Sequence, residues 1–268
     1  MIRFLTALIL TVFLSGCFIF GEPTEFDETT GQSPQWIMNK ADGFAESRDW
    51  RKVIDFLEKL VKRFPDSKVT PQARLSLSYA YYKFGQKELA QQTLDQFIRI
   101  YPSHPAMDYA YYLKGLTQYE ERGILNKLTF QDISDRDVNA LKTSFSTFKD
   151  LTKKYPNSKY YQDSVDRMTY LMNKIAEYEL HVARFYMKRK AFVAAVNRAQ
   201  KVITDYPESA HVEESLIIEY LAYQELGIKD LAGDTLKIIK LNYPENPIIN
   251  HYADKKKDWW KFWESLTD

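Results

Sequence analysis

The chain has 268 residues, of which 45% are hydrophobic, 15% aromatic and 27% charged. This is enough apolar material for a sizeable core and excludes a disordered chain. A formal charge of +1 leaves no electrostatic footprint for wrapping nucleic acid, which calls for a strongly basic face. Nine Gly and ten Pro are few for an all-β protein built on tight turns, and a single cysteine, Cys17, excludes an intramolecular disulfide.

At the N-terminus, Met1, Ile2 and Arg3 precede an apolar run over residues 4–14. One basic residue followed by a short apolar run has the make-up of a secretory signal and is too short to span a bilayer. Next comes Leu14-Ser15-Gly16-Cys17, which resembles the bacterial lipobox. The resemblance implies diacylglyceryl transfer to the Cys17 thiol, cleavage after Gly16 and acylation of the new amino terminus. The alternative is a buried cysteine in an ordinary signal anchor. Each buried CH₂ of an acyl chain contributes ~0.8 kcal/mol, so several chains together hold a protein on a membrane. Phe18, and not Asp, follows the cysteine. In enteric-type lipoproteins an Asp there usually means inner-membrane retention, so the expected place is the periplasmic face of the outer membrane. Residues 1–16 are therefore expected to be a signal peptide. Residues 17–33, with Gly, Pro, Thr and Glu, are expected to be a lipidated flexible tether.

The body repeats. An aromatic residue followed by Pro and a polar pair recurs as Phe64-Pro65-Asp66-Ser67, Tyr101-Pro102-Ser103-His104, Tyr155-Pro156-Asn157-Ser158, Tyr206-Pro207-Glu208-Ser209 and Tyr243-Pro244-Glu245-Asn246. The prolines are 37, 54, 51 and 37 residues apart. Five positions before each stand Leu60, Phe97, Leu151, Val202 and Ile239, and eight before stand Leu57, Leu94, Phe148, Ala199 and Leu236. Twelve before stand Val53, Ala90, Ser144, Ala195 and Ala232, all small or medium. Separations of three and four place these residues on one helix face, and proline ends each helix.

The pattern resembles the second helix of the tetratricopeptide (TPR) repeat. Ala41, Ser78, Gly115 and Ala183 fit the close-contact position of the first helices. Tyr220 departs from it, which suggests a looser or terminal repeat. No strand-like alternation persists. The expected fold is all-α, an α-solenoid of about five TPR helix pairs over residues 34–247. The 54-residue interval places an insertion around residues 123–137, inside the third pair. The 51-residue interval implies a long helix over about residues 159–188. Residues 248–268 contain three of the five Trp and are expected to be a Trp/Lys-rich tail or a capping helix, since every solenoid needs its last repeat covered.

The insertion reads Phe130-Gln131-Asp132-Ile133-Ser134-Asp135-Arg136-Asp137, and around it stand Tyr79-Ala80-Tyr81-Tyr82-Lys83, Phe97-Ile98-Arg99, His104-Pro105, Asp108-Tyr109, Ser144-Phe145, Tyr178-Glu179 and Ala195-Val196-Asn197-Arg198. This set resembles the BamD (ComL) family, the lipoprotein subunit of the β-barrel assembly machine of Gram-negative outer membranes, over roughly residues 36–244. The resemblance implies a non-catalytic scaffold. Such a scaffold binds the POTRA domains of a BamA-like barrel protein, other assembly lipoproteins, and unfolded outer-membrane proteins through their C-terminal signal strands. Another TPR lipoprotein scaffold, such as a secretin pilotin or a peptidoglycan-machinery coordinator, is the alternative.

Signal strands of outer-membrane proteins are aromatic-rich, and tyrosine offers large contact area at low entropic cost with a polar tip. Tyr79, Tyr82, Tyr109, Tyr112 and Tyr119 are therefore candidates for a client cradle, with ordinary inter-helix packing as the alternative. The resemblance offers Arg198 as a contact with the barrel subunit, against a solvated helix-face arginine. Asp135, Arg136 and Asp137 form either a partner-facing loop or a local structure in which Asp137 caps a helix beginning near Val138.

Enzyme classes find little support. His104, His181, His211 and His251 are scattered, without the spacing of a zinc site. No phosphate-binding glycine loop or Gly-x-Ser-x-Gly elbow occurs. Neither metal nor cofactor is expected, and a peptidoglycan-cleaving lipoprotein remains the enzyme-class alternative.

Overall fold

The computed structural model describes residues 27–118 and 135–246, and the side chains of residues 135–137 are not among those described. The signal peptide, Cys17, most of the tether, Tyr119, the insertion before Asp135 and the C-terminal tail thus lie outside the described residues. Those described form ten helices and no strand, an all-α solenoid of the TPR type. The chain divides into two units, residues 1–73 and 74–268.

The first unit holds α1 (Pro34–Glu46) and α2 (Trp50–Arg63). Ser33 caps α1 by accepting from the Trp36 amide at 3.2 Å, and Pro34, which has no amide hydrogen to lose, follows it. Asp49 caps α2 through the Lys52 amide. Val53, Phe56, Leu57 and Leu60 are buried at helical spacing, and Phe44 of α1 meets Phe56 edge-on with centroids 5.1 Å apart. The chain entering α1 is pinned to α2. Arg63 donates to the Thr29 carbonyl at 2.6 Å and to Asp27 at 2.8 Å, and Lys59 pairs with Asp27 at 3.3 Å. Hydrogen bonds from the Thr29 side chain, and then those from the Thr29 amide, Arg63 and Lys59, hold the Asp27 carboxyl far below its ordinary value.

The division between the units falls within α3 (Thr70–Lys83). The second unit continues with α4 (Lys87–Ile100), α5 (Met107–Gln118), α6 (Asp135–Lys154), α7 (Tyr161–Lys188), α8 (Phe192–Asp205), α9 (Val212–Leu226) and α10 (Lys229–Asn242). From α4 to α10, each helix packs on the next. Three apolar clusters stand out among the described residues. Leu75, Leu94, Phe97 and Leu113 build the first, and Val138, Ile175, Ala176 and Val202 the second. The third joins α7 to α10 around Leu180, Ala183, Ala199, Ile218 and Ile239.

Two turn designs alternate. After each second helix the aromatic residue before proline leaves the α region, as a residue preceding proline must. Its amide still closes onto the carbonyl four residues back at 2.8–3.0 Å, and the amide three residues later returns to its own carbonyl at 3.0–3.2 Å. This pair of bonds occurs at Phe64, Tyr101, Tyr155, Tyr206 and Tyr243. Among the described residues, the first helices α1, α3, α7 and α9 end instead on a left-handed residue: Arg48, Gly85, Lys190 and Gly227. The amide of each left-handed residue and of the residue after it bond back into the last turn, as Gly227 to Gln224 and Ile228 to Tyr223.

The close-contact positions hold. Ala41, Ser78 and Ala183 are almost wholly covered, and a Cβ added to Gly115 would come within 2.5 Å of the Phe148 ring. Tyr220 does not mark a looser repeat: it is 4% exposed, in a continuous buried run from Ser215 to Tyr223, so α9 is covered nearly all round. The helix after the insertion begins at Asp135 and not near Val138, so Asp137 lies inside its first turn and is not the cap. The long helix spans Tyr161–Lys188.

Candidate functional site

Two groups of polar and aromatic side chains gather in the second unit. The first is aromatic. On α3, Tyr79 and Tyr82 are three residues apart; on α5, Tyr109 and Tyr112 repeat that spacing, so each pair shares one helix face. The Tyr109 phenol is pushed well above its ordinary value, first by burial and then by the phenols of Tyr79, Tyr160, Tyr112 and Tyr82 around it. The structure therefore brings together four of the five tyrosines expected from the sequence; Tyr119 is outside the described residues.

A fifth tyrosine, Tyr160, joins them from the residue ahead of α7. Its ring stacks on Tyr112 with centroids 4.5 Å apart and planes 16° from parallel, and lies 5.5 Å from Tyr109. The Lys159 ammonium sits 5.0 Å over the Tyr160 ring. Tyr112 donates its hydroxyl to Asp163 at 2.8 Å, and Arg167 donates to the same carboxylate oxygen at 2.6 Å. Burial pushes the Asp163 carboxyl up, but these two bonds outweigh it and hold it below its ordinary value. The turn is tied to α5 again where Ser158 donates to Asp108 at 2.7 Å. Sequence reasoning missed Tyr160 because it looked for tyrosines on first helices only. Its place four residues after Pro156 was the available signal.

The second group is ionic. Glu179 of α7 has a fully covered side chain and accepts from three cations: Lys201 at 2.7 Å, Arg198 at 2.8 Å and Lys142 at 3.2 Å. Lys142 comes from α6, and Arg198 and Lys201 from one face of α8. Burial raises the Glu179 carboxyl, and the bonds from Lys201, Arg198 and Lys142 more than reverse it, leaving a carboxylate below its ordinary value. The hydrogen bond to Glu179 in turn raises Arg198 and Lys201. Arg198 is thus neither buried nor freely solvated. Its side chain is 37% exposed and its guanidinium is held in place. Three cations on one carboxylate leave two positive charges in excess, each side chain about a third open to water.

The signal for Glu179 was a carboxylate in the apolar stripe Met172, Ala176, Glu179, Ala183 at helical spacing. The backbone of Asp135, Arg136 and Asp137 is helical, and their side chains are outside the described set. Among the described residues no three His, Cys, Asp or Glu gather to hold a metal ion, and no helix is long and apolar enough to cross a membrane.

Residues 32–238 match the family model described as YfiO, outer membrane lipoprotein. The outer membrane protein assembly factor BamD of Neisseria meningitidis serogroup A is 39% identical, with 97% of this chain and 99% of that protein covered. The chain belongs to the BamD (YfiO) family. BamD of Vibrio cholerae, also named an outer membrane protein assembly factor, is 36% identical over 84% of this chain and 93% of its own length. Among solved structures, a thermophilic TPR protein of Thermus thermophilus covers 82% of this chain and 97% of its own, at 14% identity and a TM-score of 0.37. The stretch that matches the BamD family model takes in both side-chain groups described above.

Proposed function

We propose that this chain is a non-catalytic scaffold of outer-membrane β-barrel assembly, anchored by lipids on Cys17 to the periplasmic face of the outer membrane. It binds the POTRA domains of a BamA-like barrel protein, other assembly lipoproteins and unfolded outer-membrane proteins. Membership of a family whose relatives are named outer membrane protein assembly factors supports the process.

The observation that carries the binding role is the five-tyrosine group. Its rings are packed and oriented on α3, α5 and the residue ahead of α7 before any ligand arrives, so little conformational entropy is lost on binding. Tyr79 keeps about a third of its surface open, and phenol hydroxyls can both donate to and accept from an extended peptide backbone. An aromatic-rich strand would lay its side chains among them. The ionic group suits a different partner. Arg198 and Lys201, fixed on Glu179, offer surplus positive charge to a carboxylate on the barrel subunit. Whether the side chains of Asp135, Arg136 and Asp137 join that contact is part of the same proposal.

The experiment is purification from native membranes in mild detergent, with identification of co-purifying proteins by mass spectrometry. Near-stoichiometric recovery of a POTRA-bearing barrel protein is expected from the parent chain, with loss of at least about tenfold in an Arg198→Glu variant. Recovery of a secretin or of cell-wall synthases in place of the barrel protein would turn the reading to a pilotin or peptidoglycan coordinator.

A further inference from the structure

The last helix of the solenoid keeps an uncovered apolar face. Along α10 and its N-terminal cap, Ile228, Leu231, Ile238 and Leu241 are 41%, 45%, 47% and 82% exposed. Their spacing of three, seven and three residues puts them on one side of the helix. The corresponding second helices α4, α6 and α8 each pack against the first helix of the following pair. Among the described residues α10 has no such follower.

The chain does not stop there, and its exit is built like the others. Tyr243 closes its amide onto Ile239 at 2.8 Å, and Asn246 returns to Tyr243 at 3.0 Å, the same two bonds made at Tyr101, Tyr155 and Tyr206. After each of those three turns the next helix begins five residues beyond the proline, at Met107, Tyr161 and Val212. Asn246 is further tied to the start of α9, donating to Glu213 at 2.6 Å, as Ser158 in the Tyr155 turn donates to Asp108 at the start of α5. Twenty-two residues follow, and Tyr252, Trp259, Trp260, Phe262 and Trp263 are among them. The stripe is an open packing position of the repeat among the described residues, and the chain that follows the last turn carries the aromatic residues to fill one.

We infer that residues 247–268 lie across α10 and bury the Ile228–Leu231–Ile238–Leu241 stripe, closing the solenoid with the protein's own C-terminus. The segment does not copy the earlier first helices. Eight residues after the proline they carry Ala73, Ala110, Ser164 and Ser215, all wholly buried, whereas Tyr252 stands at that place here. This closure is independent of which partners the tyrosine and Glu179 groups bind.

The test is hydrogen exchange, read by mass spectrometry on peptides spanning residues 229–242 and 247–268 of the full chain, at dilute and concentrated protein. Exchange in the C-terminal peptides slowed at least about tenfold relative to an unstructured chain, at both concentrations, is expected. That protection should be lost in Ile238→Asp and in Leu241→Asp. Both substitutions fall on exposed positions, so circular dichroism should show the parent's helix content. Exchange of residues 247–268 at the unstructured rate overturns the inference, as does protection that survives both substitutions. Protection that disappears on dilution together with a dimer would assign the stripe to a second copy and overturn it equally.

Discussion

Arg198 donates to Glu179 across 2.8 Å, and the acceptor is a wholly covered carboxylate while the donor stays more than a third open. The exposed member of the pair is therefore held by the buried one. Glu179→Gln keeps the shape and removes the charge, leaving Lys142, Arg198 and Lys201 facing one another. Because those cations reach water, the loss is smaller than for a sealed ion pair, about 1–3 kcal/mol. A lower midpoint in urea with an unchanged denaturant slope is the expected outcome.

The same group sets an acid limit. The Glu179 carboxyl is held below its ordinary value of 4.5 in the folded protein. Its contribution is therefore complete above that pH and is lost as the pH falls through the lower folded value. The Glu179→Gln variant lacks this titration, so the stability gap between parent and variant should narrow progressively below about pH 4.5. Chemical denaturation between pH 7 and pH 3 checks it; a constant gap would mean that the carboxylate is not what holds the cations.

At Gly115 the absence of a side chain leaves room for the Phe148 ring. The Cβ of Gly115→Ala would approach three ring carbons at 2.5, 2.6 and 2.9 Å, and that ring is fully buried. A cost of at least about 1–3 kcal/mol is expected from this overpacking. Combining it with Phe148→Leu should recover part of the loss, which thermal unfolding of the single and double variants would measure.

Tyr112→Phe and Tyr160→Ala separate the two contacts of the aromatic group. The first removes only the bond to Asp163, expected to cost about 0.5–1.5 kcal/mol. The second removes the ring that stacks on Tyr112 and lies tilted beside Tyr109, and should weaken binding of an aromatic-rich, strand-forming peptide more than Tyr112→Phe does. Fluorescence titration of a labelled peptide against both variants gives the comparison, and equal affinities would confine Tyr160 to a packing role.

Asp27 ties the entering chain to α2. Asp27→Ala removes the acceptor shared by Thr29, Arg63 and Lys59. Amides of residues 27–32 are expected to exchange hydrogen faster, with α2 unaffected. Parent-like exchange in those amides would show that the Arg63 bonds to Thr29 suffice alone.

Much of this protein is local and therefore visible in the order of its residues. A residue before proline leaves the helix because the restriction acts between adjacent residues; five such turns, the apolar positions five and eight residues upstream and the small or medium ones twelve upstream marked the second helices and their buried faces. Small residues at Ala41, Ser78, Gly115 and Ala183 marked close approach for the same reason. Left-handed ends at Arg48 and Lys190 were not legible, since neither residue type favours that conformation and only the bonds of the folded turn impose it. The start of α6 at Asp135 was also missed, three residues early.

The sites were decided by tertiary packing. Tyr79, Tyr82, Tyr109 and Tyr112 could be named from helix spacing, yet the stack of Tyr160 on Tyr112 and the bond to Asp163 join residues 48 and 51 positions apart. Arg198 could be named, but its anchor lies on another helix. The buried charge of Glu179 is tolerable only because α6 and α8 bring three cations to it from different parts of the chain. Sequence set the helices and their buried stripes because those follow from neighbours along the chain. Which polar groups meet follows from how the helices stack, and desolvation makes the cost of each unpaired charge depend on that stacking alone.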